Sequence, residues 1–302
     1  MDTNKFARKM RRFWKKSKKA MSNCGLFIAR LFKNPKSAIG LSVIILFILI
    51  AIFGPMIFPY SNEVNAELKY LPPSWEHPFG TDWMGLDIFR QMIAGTANVL
   101  KTAFYTALIS VFLGTTLGII SGYFGGAVDK VIMLICNIFL SIPSFPVYLM
   151  LAALFTLKTP IAIALVISIF SWAGLCRAVR VEIVSLKERD FIQICKVMHI
   201  SKFHIVFGEL LPNVLSYIVV NFVLCLRGAI LASVGIMLVG LASYNATDWG
   251  TIMQLARSRG LMSMNNVVIM LYPLVAILIF QSAALLLSQG LDEVINPRLR
   301  RQ

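Results

Sequence analysis

Three parts of the sequence have residue types and spacings that could do chemistry. The first is a run rich in Gly, Pro and acidic residues that contains His77, Asp82 and Asp87. One His and two carboxylates could bind a metal ion, but between Gly and Pro they are more typical of a hydrogen-bonded turn, which we favour. The second is Arg227, a single charge in a long apolar stretch, and the third is the segment 177–212, where apolar and charged residues alternate.

The segment 177–212 is compatible with helix up to a break at Pro212. We predict two short amphipathic helices joined near His199–Ser201, with Ser201 as the cap of the second helix. Such a shape can dock into a groove on a partner protein. The alternative is an amphipathic connector that lies on a membrane, but about 35 residues exceed an ordinary helix connection and favour a separate role.

The composition limits the class of protein in which these residues lie. Of the 302 residues 58% are hydrophobic and only 14% are charged, whereas soluble proteins average about 25% charged residues. A soluble enzyme, a disordered chain and a disulfide-stapled secreted domain are therefore excluded. The net charge of +15 would suggest nucleic acid only if it lay on a folded basic surface.

Five windows without charged residues and one that contains only Arg227 predict six transmembrane helices, since a helix needs about 20 apolar residues to cross a bilayer. The predicted spans are 39–59, 100–123, 130–155, 159–179, 213–239 and 267–288. We therefore predict an all-α integral membrane protein of the cell (inner) membrane. The expected units are an arm (1–36), a first span (37–60), an extracytoplasmic loop (61–99), a core (100–290) that includes the segment 177–212, and a tail (291–302).

The distribution of basic residues predicts that both termini lie in the cytoplasm. Residues 1–36 contain 12 Lys or Arg and one acid, and 22 of the 29 basic residues fall on the side of this arm. Basic residues accumulate on the cytoplasmic side of membrane proteins. The apolar residues of the arm repeat at helical spacing, which is compatible with a helix on the surface of the membrane lipid and equally with a disordered basic tail.

Several motifs resemble the second ("C-type") permease subunit of the dipeptide, oligopeptide and nickel class of binding-protein-dependent ABC importers. The run His77-Pro78-Phe79-Gly80-Thr81-Asp82-x-x-Gly85-x-Asp87-x-x-Arg90 is similar to the extracytoplasmic signature of that family. The resemblance continues at Trp172 to Arg180, at Leu186-Lys187-Glu188-x-x-Phe191, at Asp248-Trp249-Gly250 and at Asn296 to Arg300. It implies a type I ABC importer permease fold, in which 177–212 is the coupling loop.

The coupling loop departs from the pattern of this family. The family reads E-A-A-x3-G, with L-P thirteen positions after the Gly; counting back from Leu211-Pro212 places His199 at the Gly. The residues at E-A-A are then Gln193, Ile194 and Cys195. Large side chains at these positions predict an altered contact with the ATPase. The residues assigned to coupling are Glu188, Phe191, Gln193, Ile194, Cys195, His199, Ser201, Leu211 and Pro212.

The resemblance implies that this chain forms half of a translocation pore for di- or oligopeptides. Its implied partners are a homologous second permease, two cytoplasmic ATPase subunits and an extracytoplasmic binding protein. The sequence contains no G-x-x-x-x-G-K-[ST] loop, so ATP and Mg²⁺ are expected on the ATPase subunits and no cofactor on this chain. Neither a catalytic triad within the spans nor H-E-x-x-H occurs, so we expect no enzyme activity, and the five cysteines lack metal-ligand spacing.

Arg227 needs a separate explanation, because the family has a small residue there. A charge within the membrane commonly faces a cavity or a partner. We expect Arg227 and Ser233 to line the translocation path, with Arg227 on an anionic group such as a peptide carboxylate. The alternative is a pairing of Arg227 with the second permease or with a backbone carbonyl.

Other transported substrates and another class of protein remain as alternatives. Nickel, a metal–chelator complex or an oligosaccharide would use the same architecture. A stand-alone secondary transporter would show internal repeats and ion ligands within the spans, and we see neither in the sequence.

Overall fold

A computed structural model describes residues 31–242, 245–260 and 264–295. Most of the predicted arm and tail therefore lie outside the described residues, as does the expected surface helix. The described chain folds into helices, and residues 58–87 between the first two form a long loop that contains the 3₁₀ turn Ala66–Leu68. The helices are α1 (Pro35–Ile57), α2 (Ile88–Phe124), α3 (Gly126–Ser141), α4 (Ser144–Leu154), α5 (Pro160–Lys187), α6 (Asp190–Val197), α7 (Lys202–Leu238), α8 (Trp249–Ser258) and α9 (Met264–Ile295).

The starts of two spans follow from their capping residues. The Asn34 side chain accepts hydrogen bonds from the backbone N–H groups of Lys36 and Ser37, and Pro35 stands at the first helical position. Thr159 and Pro160 begin α5 in the same way. Pro suits this position because its missing N–H would have no partner in the helix.

Five helices are long and apolar enough to cross a membrane, and the bent pair α3–α4 is a sixth candidate. Contacts between helix ends show that this pair also crosses. Lys187 at the end of α5 bonds to the Tyr123 carbonyl at the end of α2, so α5 begins at the opposite side, and α3–α4 must lead there. The six predicted spans are confirmed for the described residues.

The two ends of the described chain lie on the same side of the helix bundle. The Asn34 amide donates to Glu293 at 2.7 Å, and Lys36 forms an ion pair with Glu293 at 2.6 Å. On the other side, the Tyr70 hydroxyl donates to Asn266 near the start of α9. This arrangement agrees with termini on one side of the membrane.

The predicted boundaries differ from the observed ones where helices continue past the apolar windows. Helix α2 begins at Ile88, so residues 88–99 of the expected loop are helical. Helix α5 continues to Lys187 and α7 begins at Lys202. A charged residue ends an apolar window but does not end a helix, since Lys, Arg and Glu are good helix formers.

Pro143 and Pro212 have opposite effects on helix continuity. The chain bends by 82° between α3 and α4, where Ile142 before Pro143 has an extended backbone, as expected for the residue that precedes a proline. The predicted break at Pro212 is wrong, because α7 continues through it. A π-helical turn, Ile205–Leu210, precedes Pro212, and this wider turn accommodates a residue that cannot donate an i→i−4 bond.

Close packing of α2 against α5 holds the centre of the bundle together. Gly114, Gly118 and Gly122 lie on one face of α2, and a Cβ atom on any of them would come within 2.7–2.8 Å of α5 atoms. Small residues at four-residue spacing let membrane helices approach closely. Glycine at these positions thus fixes the distance between the helix that follows the extracytoplasmic motif and the helix that leads to the coupling loop.

Candidate functional site

The extracytoplasmic motif is a compact turn built around Asp82. One oxygen of its carboxylate accepts from the backbone N–H groups of Met84 at 2.7 Å and Leu86 at 3.0 Å, and the other accepts from the Gln91 amide at 2.8 Å. Thr81 accepts from the Leu71 N–H at 2.8 Å and donates to the Leu68 carbonyl. Both side chains are buried, so the motif folds back on the chain that leads into it.

Asp87 joins this turn to α2. Its Oδ1 accepts from the Arg90 N–H at 3.0 Å and so caps the helix, and its Oδ2 lies 2.8 Å from His77 Nδ1. The hydrogen-bonded turn is the observed arrangement, since Asp82 uses its carboxylate elsewhere. Within the described ranges no cluster of three metal-binding side chains is found.

The two glycines of the motif are required by backbone geometry. Gly80 and Gly85 have φ of 71° and 80°, in the left-handed region that glycine adopts without a steric penalty. A Cβ atom at either would approach a backbone carbonyl, that of Leu71 at 2.4 Å or Asn65 at 2.0 Å. Next to Pro78, the Phe79 ring stacks on Tyr272 of α9 at 4.3 Å. The predicted motif residues are therefore brought together and attached to the bundle.

The large aromatic residues of this loop differ in their contacts. Phe79 packs on α9, and the Trp83 ring lies 3.6 Å from the Arg259 guanidinium, but Trp75 is completely exposed. Trp75 sits at the tip of a turn whose two flanking prolines are exposed as well.

The Asp248-Trp249-Gly250 motif lies against α2 at the same side of the bundle. The Trp249 indole N–H donates to the Met92 carbonyl at 3.0 Å. Asp248 accepts from the Asn98 amide at 3.0 Å, and its other oxygen has no partner among the described residues. Burial raises the pKa of the Asp248 carboxyl to about 6. This motif therefore holds a carboxyl group whose charged form is disfavoured by desolvation.

The coupling segment has an inner face that attaches it to the membrane core. Ile192 on α6 is completely buried, and it joins an apolar cluster with Ile183, Leu186, Ile205 and Leu210. Phe191 and Cys195 are half-buried beside this cluster. Since Ile183 and Leu186 belong to α5 while Ile205 and Leu210 belong to α7, a movement of α6 must displace both helices.

The outer face of the segment is apolar and exposed. Ile194 is 57%, Val197 77% and Met198 68% exposed. His199 has a φ of 53°, in the region where glycine is favoured. The predicted alignment of His199 with the family glycine thus agrees with its backbone conformation.

Of the remaining predicted coupling residues, Glu188 and Ser201 lie at helix ends. Glu188 is exposed and ends α5, and the Gln193 amide donates to the Lys187 carbonyl at 2.9 Å. The Ser201 hydroxyl caps α7 by accepting from the His204 N–H at 3.3 Å, as predicted. Leu211 and Pro212 follow the π turn inside α7 and do not end a helix.

Arg227 contacts a residue that the sequence did not indicate. Its Nε donates to the Gln281 side-chain oxygen at 2.6 Å, and the Gln281 amide donates back to the Arg227 carbonyl at 3.0 Å. In the part of the chain that the structure describes, no carboxylate lies within ion-pair distance of Arg227. Ser233 is buried and donates to the Ile230 carbonyl of its own helix, so it packs within α7.

Comparison with known proteins decides the family. The sequence profile described as "Binding-protein-dependent transport system inner membrane component" matches residues 114–301, and the profile of the N-terminal transmembrane domain of oligopeptide transport permease C matches residues 22–73. The chain belongs to this permease family. It is thus a multi-pass protein of the inner membrane and a transport protein by family.

Three relatives illustrate the similarity within this permease family. The dipeptide transport system permease protein DppC of Alkalihalophilus pseudofirmus is 33% identical over 90% of this chain and 88% of its own. The glutathione transport system permease protein GsiD of Pectobacterium atrosepticum is 30% identical over 87% of each chain. The oligopeptide transport system permease protein OppC of Bacillus subtilis is 28% identical over 94% of this chain and 93% of its own.

Sequence reasoning about this permease missed one charged pair near the coupling segment. Asp129 of α3 accepts from the guanidinium of Arg180 on α5 and from the Ser121 hydroxyl of α2, so it joins three helices. Asp129 is the only acid between residues 88 and 181. Its isolation among apolar residues was a signal that could have identified it, because such acids usually have a basic partner.

Proposed function

We propose that this chain is the permease subunit of an ABC importer and forms half of a translocation path for di- or oligopeptides. The two-faced coupling segment is the observation that carries the proposal. Its inner face packs into the apolar core through Ile192, while Ile194, Val197 and Met198 on its outer face are exposed. An apolar face of this kind on the basic side of the bundle suits docking to a partner protein.

The proposed complex contains a second permease, two ATPase subunits and an extracytoplasmic binding protein. The ATPase subunits bind ATP and Mg²⁺, and this chain binds neither, in keeping with the missing phosphate-binding loop. In this scheme the chain transports and does not catalyse a reaction. Closure of the ATPase pair moves α6, and the shared apolar cluster passes the movement to α5 and α7.

Peptides are the proposed substrate class. The names of the relatives support this class, since two of the three refer to dipeptide or oligopeptide transport. Arg227 supports it independently. Gln281 fixes the orientation of the guanidinium through Nε and leaves its positive charge uncompensated among the described residues, so that the charge can meet the carboxylate of a peptide. Nickel chelates and oligosaccharides are the less supported alternatives, because no other feature of the described chain favours them.

The test is uptake by the reconstituted complex in proteoliposomes, with a labelled dipeptide, its C-terminally amidated form and nickel as separate probes. We expect ATP-dependent uptake of the free dipeptide, and a drop of about tenfold or more in Arg227→Gln, the loss expected when one charge-assisted hydrogen bond is removed. The amidated peptide should be transported equally by both proteins. Equal uptake of the free dipeptide by both proteins would refute the role of Arg227, and absence of ATP-dependent peptide uptake by the unaltered complex would refute the proposed function.

A further inference from the structure

Among the described residues, Trp75 has no contact that explains its presence. The other tryptophans in the described ranges are in contact with the bundle: Trp172 and Trp249 are buried, and Trp83 stacks against Arg259. The indole of Trp75 is completely exposed. An exposed tryptophan is unfavourable in water and is typical of sites where a partner protein supplies a pocket.

The turn that carries Trp75 is rigid. The Ser74 N–H donates to the His77 carbonyl at 2.9 Å, and the His77 N–H donates to the Ser74 hydroxyl at 3.1 Å. The Gly80 N–H donates to the same His77 carbonyl at 2.9 Å. The backbone at Trp75 is therefore held in one conformation, which reduces the entropy that docking would cost.

The surroundings of Trp75 are acidic. Between residues 60 and 87 there are five acidic residues and one basic residue, Lys69, and the acids Glu63, Glu67 and Glu76 are exposed. A tryptophan could also insert into lipid headgroups, as aromatic residues do at membrane interfaces. Acidic neighbours oppose contact with anionic lipid and favour a partner surface with basic residues.

We propose that Trp75 is the anchor on which the extracytoplasmic binding protein docks, with the indole in an apolar pocket that is surrounded by Lys and Arg residues. The proposal rests on the proposed function, which supplies such a partner on this side of the membrane. It goes further by assigning the contact residue and the chemistry of the opposite surface.

Contacts within the motif connect this anchor to the transmembrane helices. His77 closes the Trp75 turn, and its ring lies 2.8 Å from Asp87. Asp87 in turn caps α2. A force on Trp75 is therefore transmitted through two side chains to the first turn of a helix that crosses the membrane.

The experiment measures ATPase activity of the complete complex in nanodiscs as a function of the concentration of the peptide-loaded binding protein from the same gene cluster. For Trp75→Ala we expect the half-maximal concentration to rise about 30-fold, the size typical of a tryptophan hot spot, with the basal and maximal rates unchanged. The half-maximal concentration for Trp75→Phe should lie between that of the unaltered complex and that of Trp75→Ala. In Glu76→Lys, the half-maximal concentration should rise and depend less on salt, since one attractive charge is reversed.

Val64→Ala is the matched control, because Val64 is exposed in the same loop and should leave the half-maximal concentration unchanged. An equal half-maximal concentration for Trp75→Ala and Val64→Ala would overturn the proposal. So would an effect of Trp75→Ala that follows the content of anionic lipid in the nanodisc and not the binding protein, since that would place the indole in the headgroups. Absence of any stimulation in the unaltered complex would instead contradict the proposed function.

Discussion

At the scale of single residues, Asp248 is a costly group, because a carboxylate is buried with few hydrogen bonds. Its side chain is completely buried, one oxygen accepts from the Asn98 amide, and the other has no side-chain or backbone partner among the described residues. Burial raises the pKa of this carboxyl from 3.8 to about 6, because the charged form loses its hydration. The folded protein therefore binds a proton between pH 4 and 6 that the unfolded chain releases, and this contribution to stability is lost as the pH rises through about 6.

Asp248→Asn should remove this dependence. The Asn oxygen can still accept from Asn98, and no charge remains to be desolvated. We expect a gain in the free energy of unfolding of up to about 3 kcal/mol at pH 7.5 and of only about 1 kcal/mol at pH 4.5, where the folded protein holds the carboxyl protonated. Thermal unfolding of the purified protein in detergent at both pH values tests this, with the exposed Glu63→Gln as control. A stabilisation of equal size at both pH values would show that the carboxyl is not desolvated.

Residues of the extracytoplasmic motif were predictable from the sequence, whereas the partner of Arg227 was not. His77, Asp82 and Asp87 lie within eleven residues of one another, so the short chain between them limits their arrangement. Gln281 is 54 positions from Arg227, and a neutral amide in an apolar helix gives no pattern that identifies its partner. Only the packing of α7 against α9 brings the two together.

At the scale of elements, α6 has two faces with different tasks. Ile192 contributes to stability because it is buried among residues of α5 and α7. Ile194, two positions later, is exposed and adds little to the stability of the isolated chain. The amphipathic pattern in the sequence predicted this helix. Which of its apolar residues are buried and which are exposed follows only from the structure.

The same substitution at both positions should separate these tasks. Ile192→Ala should lower the free energy of unfolding by about 2–4 kcal/mol, as for other buried Ile residues. Ile194→Ala should leave it unchanged within about 0.5 kcal/mol and weaken binding of the ATPase subunits about tenfold. Thermal unfolding and a titration with purified ATPase subunits measure the two effects. Unchanged ATPase binding in Ile194→Ala would exclude Ile194 from the contact.

At the scale of the whole molecule, the order of the six crossings could be predicted but their lengths could not. The apolar windows reflect the thickness of the bilayer, so they locate the crossings. Helices that continue into water are stabilised by capping and packing instead, as α2 is by Asp87. These contacts depend on residues that an apolar window does not include.

The glycine contact between α2 and α5 should affect the whole molecule. A Cβ atom on Gly118 would lie 2.7 Å from the Cys176 carbonyl, whereas one on Gly174 would meet nothing within 4 Å. We expect Gly118→Ala to destabilise the protein by about 1–3 kcal/mol. Gly174→Ala should stabilise it by up to about 1 kcal/mol, because alanine is the better helix former. Thermal unfolding of both variants is the measurement, and equal effects would contradict the close approach of the helices.

The lengths of α2 and α7 have a consequence for the timing of transport. Each has 37 residues and so extends about 55 Å, far more than the roughly 30 Å of the hydrocarbon core. Helix α2 projects from one membrane surface, where it carries the His77–Asp87 turn, and α7 projects from the other, where it carries Ser201. The two helices touch within the bundle, where Phe104 and Phe222 meet edge to face. In the proposed complex, a displacement of α2 on arrival of substrate outside and a displacement of α7 on hydrolysis of ATP inside therefore reach each other through this direct contact.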